Sequence, residues 1–241
     1  MAIALIDFTN GAATVDATTG GISSLGGTFA VFGRAWYPGS APTFALSDDQ
    51  GNASFTQYTT QAGSFAAAAV LRCLTTPLLT GASHHWTSDS LGDIAVYQVL
   101  TAQVFSGVDL VTAPQENGAL DETNTLSSFQ GGSITPAVDG CLCLSVCCAG
   151  NSSVTGLDCN IGTKNIVQAS AGVYVGGGVA WVIQTTATAF NPTWSWGTFT
   201  STVAVANIAF RPAAAGDPPA MGGRAYRQIT RPAAFRPGLG R

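Results

Sequence analysis

The chain has 241 residues, of which 46% are hydrophobic and only 9% charged, and its formal net charge is −4. That apolar content excludes a disordered chain, which combines few apolar residues with high net charge. A charged fraction far below the usual value of about 25% suits sheets whose outer faces are covered, and an acidic body is a poor partner for nucleic acid.

Taken in chain order, "MAIALID" reads as a first strand. It is too short, and at Asp7 too acidic, for a signal peptide. "TFAVFGRAWY" is the next strand and stops at "PGSAP". "PTFALS" then runs into "DDQGN", where Gly51 and Asn52 suit positive φ, and "ASFTQYTTQ" follows, so this stretch is read as a β-hairpin. "SDDQGN" offers several oxygens but lacks the ligand spacing and distal Glu of a calcium loop, and is read as a turn. "SFAAAAVLRCL" is predicted as a strand from its flanking turns, although Ala favours helix. Arg72 interrupts it, and no apolar run approaches the eighteen or so residues of a membrane span.

In "HHWTSDS" the adjacent His84 and His85 would face opposite ways on a strand, so at most one serves a given site. No G-x-S-x-G elbow is present, and no catalytic residue is assigned. In "DIAVYQVLTAQVF", Ile94 and Val96 share one face while Tyr97 and Val99 share the other, which suits a sheet covered on both sides. A looser segment runs from "SGVDLVTAPQENGALDETN" to about Gly132, with Asp121–Asn124 as a solvated loop.

The second half resumes with "GSITPA", "GCLCLSVCCA", "IGTKNIVQA", "GVYVGGGVAWVIQTTA", "TWSWGTF" and "STVAVANIAF". On a strand, Cys141, Cys143 and Cys147 point to one face and Cys148 to the other. The run lacks the C-x-x-C pairs of zinc sites, so the thiols are read as small buried hydrophobes and no metal site is assigned. Gly176, Gly177 and Gly178 have no following Lys for a phosphate loop and mark a bulge, a bend or a close backbone approach. Trp194 and Trp196 share one side of their strand. Around Asn207 the apolar parity of "STVAVANIAF" breaks once, as in a bulge or in a strand apolar on both faces.

Short strands punctuated by Gly, Pro and Asn predict an all-β, antiparallel β-sandwich of jelly-roll type over residues 1–210. From Arg211 the character changes. Residues 1–210 carry three basic and twelve acidic side chains, a net −9, whereas residues 211–241 carry six arginines and Asp217, a net +5. Five prolines in that second segment exclude helix interior and central strand. Aromatic and aliphatic residues stand among its arginines, as on an extended chain that docks in a neighbour's groove. Residues 211–241 are therefore read as an extended arm, with Arg224, Tyr226, Arg227, Arg231, Phe235, Arg236 and Arg241 as its partner-binding residues.

From "SDDQGNASFTQYTTQ" onward the sequence resembles a β-sandwich module of bacteriophage virion proteins and some bacterial surface proteins. The likeness is carried by the D-x-x-G-N turn at Asp48–Asn52, the alanine-rich strand after it, and "SGVD" at Ser106–Asp109. It continues in "TPAVDGCLCLSV" at Thr135–Val146 and in the closing "VANIAFRP" at Val205–Pro212. It spans roughly residues 45–212, and the chain departs from it in placing thiols where the module carries Val, Leu or Ala. The resemblance implies a virion structural protein, of capsid-decoration, neck, collar or tail-accessory type. Its partners would be other virion proteins and further copies of itself, with no cofactor and no membrane, and it would be assembled in the host cytoplasm. The alternative expectation is a host-surface glycan-binding adhesin, with Trp86, Trp194 and Trp196 stacking on sugar rings.

Overall fold

Strands that are apolar on both sides need a cover on each side, and the fold supplies two. A computed structural model describes residues 1–37, 44–90, 97–123, 126–150, 154–168, 175–197 and 202–214. Among the described residues there are sixteen strands and no helix. The first half of the chain contains β1 (Ala4–Thr14), β2 (Ala17–Thr18), β3 (Phe29–Tyr37), β4 (Ala45–Asp48), β5 (Phe55–Ala62), β6 (Ala67–Cys73), β7 (Trp86–Asp89) and β8 (Tyr97–Ser106). The second contains β9 (Gln115–Asp121), β10 (Ser128–Gln130), β11 (Leu142–Ala149), β12 (Asp158–Cys159), β13 (Thr163–Val167), β14 (Gly176–Ile183), β15 (Thr193–Ser195) and β16 (Val203–Phe210).

Two five-stranded antiparallel sheets, β1-β8-β3-β6-β5 and β13-β14-β11-β16-β9, pack face to face. A three-stranded sheet, β2-β7-β4, covers the outer face of the first, and β10-β15-β12 covers the outer face of the second. The result is an all-β, antiparallel sandwich in four layers. The large sheets are filled from separate halves of the chain rather than by strands alternating between them, so the likeness to a jelly roll holds at the level of two packed antiparallel sheets.

The two halves follow one plan. Raising each strand number of the first half by eight converts β1-β8-β3-β6-β5 into β9-β16-β11-β14-β13 and β2-β7-β4 into β10-β15-β12, which are the sheets of the second half. In the stack β3 meets β11, β8 meets β14, β6 meets β16, β1 meets β13 and β5 meets β9. Each pairing is reciprocal, so an approximate two-fold axis passes through β3 and β11. Gly33, paired with Val70, and Val146, paired with Val179, are equivalent positions. They face each other on that axis: a Cβ on Gly33 would sit 3.0 Å from a Val146 methyl. The ends of the halves also pair reciprocally, Asp109 N–H donating to Arg211 O at 2.9 Å and Ala213 N–H to Gly107 O at 2.8 Å.

Side-chain parity then sorts the core. On β11, Leu142, Leu144, Val146 and Cys148 point into the central layer against Phe29, Val31, Val99 and Phe105 of the first half. Cys141, just before the strand, and Cys143 and Cys147 on it point outward, under the second cover. β3 sends Phe32 and Trp36 beneath the first cover, beside Trp86. Each fully buried Phe or Leu contributes about 1.5–3 kcal/mol, which is why few charges are found on these strands.

Several expectations change. "DDQGN" does form a turn, but it passes the chain from the cover sheet (β4) to the large sheet (β5), and the two strands do not pair with each other. Gln115–Asp121, in the segment expected to be loose, is an edge strand on β16. Its exposed polar side chains gave no alternation to read. β16 keeps an unbroken register with β11 across Asn207, so it is apolar on both faces rather than bulged. The four residues from Arg211 to Ala214 still belong to the sandwich end, through the pairing of Val108 with Pro212. Ile94 and Val96 lie outside the described residues.

Gly176–Gly178 mark a close approach, since the β11–β14 register is also unbroken there. A Cβ on Gly177 would sit 2.6 Å from the Ala35 Cβ in the facing sheet. Gly177→Val should therefore push the sheets apart and cost about 3 kcal/mol, read as a lower urea midpoint at unchanged slope.

Candidate functional site

Asp48 ends β4, and its carboxylate gathers the turn that follows. Oδ1 accepts the N–H groups of Gly51 and Asn52, both at 2.8 Å, with Gly51 at φ +89°. The Asn52 amide donates to Oδ2 and to Leu79 O, and accepts from Leu79 N–H. His84 Nε2 reaches Asp48 Oδ2 at 2.7 Å, while its Nδ1 lies 2.8 Å from Ser24 Oγ. The ring stacks on Trp86 with centroids 3.8 Å apart. The imidazole thus bridges the Asp48 carboxylate and the Ser24 hydroxyl through its two ring nitrogens.

A hydroxyl, an imidazole and a carboxylate in a row are the parts of a nucleophilic triad. Their placement gives them a different job. The side chains of His84 and Asp48 are fully buried, and so is Ser24. Ser24 Oγ also accepts the Gly81 N–H at 2.9 Å, so it is committed to backbone on its other side. No substrate reaches it. The chain of bonds staples the turn before β3, the end of β4 and the approach to β7. In the second half Ile134 pairs with Phe190 where the first half pairs Ile22 with His84. An apolar ring thus fills the equivalent place. His85, by contrast, is partly exposed, with Nδ1 3.0 Å from Thr19 O. The two histidines differ in environment as their adjacency predicts.

Arg34 is fully buried under the first cover, its guanidinium 3.9 Å from the ring centroid of Phe44 and 4.6 Å from that of Trp36. Nε donates to Gln98 Oε1 at 2.9 Å, and among the described residues neither terminal nitrogen has a partner. Burial lowers the Arg34 pKa to about 9.

All six cysteines are free thiols and buried. Burial raises Cys143 and Cys148 to about 12 and Cys159 to about 11, and pushes Cys147 well up. Among the described residues no group of His, Cys, Asp and Glu is placed to hold a metal ion.

The three tryptophans expected to stack on sugars are buried. Trp86 lies in the first cover's core, and Trp194 and Trp196 lie together in the second's. Trp194 Nε1–H donates to Ser145 Oγ at 2.8 Å and Trp196 Nε1–H to Leu126 O at 2.9 Å. None presents a ring face to a ligand, so the glycan site is withdrawn. Each cover sheet needs a large plug against the sheet beneath it, and the indoles supply that.

Arg224, Tyr226, Arg227, Arg231, Phe235, Arg236 and Arg241 lie outside the described residues. The point from which they depart is well defined. Pro212 pairs with Val108, and the Met1 ammonium donates to Ala213 O at 2.7 Å. Beside this exit a groove of about 430 Å³ opens, lined by Pro77, Leu78, Val108, Leu110 and Val111, with Asp109 at its edge and Ala213 in its wall. The Thr112 side chain, the N–H groups of Val111 and Thr112 and the nearby Arg211 hold the Asp109 carboxyl below its ordinary value. Sequence reasoning missed this groove, because its walls come from loops far apart in the chain. Searches of family models, curated proteins and solved structures found no match to this chain.

Two outcomes test the buried groups. Arg34→Met keeps the packing between Phe44 and Trp36 and leaves Gln98 Oε1 its bond from Ser88 Oγ. It should leave stability unchanged or raise it by up to about 4 kcal/mol in urea unfolding. The charge penalty it removes is fully present below pH 9 and fades as pH rises through 9, so the gain should shrink there. The thiols should resist a disulfide reagent at pH 8 in the native protein, and all six should react once guanidinium unfolds it.

Proposed function

We propose that this chain is a structural protein of a bacteriophage particle, of capsid-decoration, neck, collar or tail-accessory type, built as a rigid body with a tether. The observation that carries this reading is the exit at Arg211–Ala214. There the sandwich pairs the chain with Gly107, Val108 and Asp109, and a segment of opposite charge follows in the sequence. A body at −9 and an end at +5 in one polypeptide suit head-to-tail or symmetric contacts between copies and with acidic neighbours. Arginine is the side chain for such contacts, since its planar fork stays charged and pairs with carboxylates bidentately. The motifs shared with virion sandwich modules add to this. Asp48, Gly51 and Asn52 of D-x-x-G-N form the staple described above, and Phe210 of "AFRP" packs on Phe29 at 4.8 Å in the central layer.

The test is made on gradient-purified particles from the source culture. Mass spectrometry should recover the chain in them, and about 1 M salt should loosen it, because screening then acts within roughly 3 Å. Replacing the five arginines from Arg224 to Arg241 by serine should leave the melting transition in place while particle association is lost. Full association of that variant, or absence of the wild-type chain from particles, would refute the tether.

A further inference from the structure

We infer that the groove beside the exit receives the C-terminal arm of a second copy of this chain, with Phe235 as the plug and Arg236 on Asp109. This rests on the reading that the arm holds the chain to a neighbour, and it names the neighbour and the seat. The groove is mostly apolar, and two of its large apolar side chains are exposed. In its lining Val111 is 93% exposed and Met1 51% exposed. Such a patch on an isolated chain marks a surface that is covered in use. Among the described residues Asp109 makes no ion pair, although its carboxyl favours the charged form.

The sequence of the arm suits this seat. "AFRP" occurs twice, at Ala209–Pro212 and at Ala234–Pro237. In the first copy Phe210 turns inward onto Phe29 and Tyr58, Arg211 stands near Asp109, and Pro212 lies on Val108. The second copy offers the same order of aromatic anchor, cation and proline, at the far end of a segment that starts from the groove's own wall. Residues 215–234 can span up to roughly 65 Å at about 3.3 Å per residue, enough to cross onto another chain.

Exit and groove are neighbours on each copy. Two copies apposed through this end by a two-fold axis would therefore each place their exit against the other's groove, and both arms would cross reciprocally. Filling its own groove would require a chain to loop out residues 215–234 and return them to their starting point.

The full-length chain tests this directly. Light and heavy isotopic forms are mixed, each carrying p-benzoylphenylalanine in place of Phe235, and irradiated. Heavy–light crosslinks to the Ser106–Val111 segment or to Pro77–Leu78 are expected. Crosslinks confined to single chains, crosslinks to another surface, or a monomer at every concentration in analytical ultracentrifugation would overturn the proposal. Phe235→Ala and Val111→Asp should each weaken self-association about tenfold or more, and the double variant should lose little beyond either alone. Additive losses would place the two residues in separate contacts and count against it. Recovery of the wild-type chain in particles is scored separately, so a chain present in particles but crosslinked elsewhere removes the groove and leaves the tether standing.

Discussion

The fold depends on burying both faces of its two central sheets. A sheet sandwiched on one side only would leave Phe32, Trp36 and Leu100 of the first half, or Cys147 and Val205 of the second, open to water. The cover sheets remove that surface at the expense of a second interface that must fit closely. Small residues make the fit: Gly33 lies under Thr101 and Val146, and Gly177 lies against Ala35. The richness in Gly and Ala and the scarcity of charge are thus one property seen twice, since layers that touch on both sides have room for neither long nor charged side chains.

Some of the polar groups that remain inside are gathered by specific partners. Asp48 collects bonds from the turn and from His84, and Asn207 donates to Gly131 O and Gly132 O across the second cover. Arg34 is held differently, a cation between two aromatic faces with four of its five N–H donors unmatched among the described residues. Its counterpart positions on β11 are apolar, as Phe190 is opposite His84. The two halves share a plan, but the first buries a histidine and two arginines while the second holds five of the six buried thiols.

Much of this architecture is legible in the sequence. Runs such as "YQVLTAQVF" and "VAVANIAF" are apolar on both faces because both faces are covered, and the alternation that marks a half-exposed sheet is absent for that reason. The opposite facing of Cys147 and Cys148 follows from strand parity alone. The duplication is much harder to see. "AAAVLRCLTT" in the first half and "GGGVAWVIQTT" in the second occupy the same strand, yet they share little beyond the valine and the threonines, because packing conserves size and direction rather than identity. β9 escapes detection for a different reason: an edge strand with exposed Gln, Glu and Asn looks like a loop until its partner is known. The tryptophans were legible as a pair on one side, but not as to which side was wet.

The position of β16 governs what happens when the chain is pulled from its C-terminus. It lies between β11 and β9, with ladders along both edges. A load applied beyond Ala214 first meets the short pairing with Gly107 and Asp109, and then runs along the axis of an interior strand. The two ladders must then slide in shear together, rather than peel one bond at a time. A strand anchored in that way resists extraction far better than an edge strand unzipped from its end, so the sandwich is built to carry load at its C-terminal end along β16.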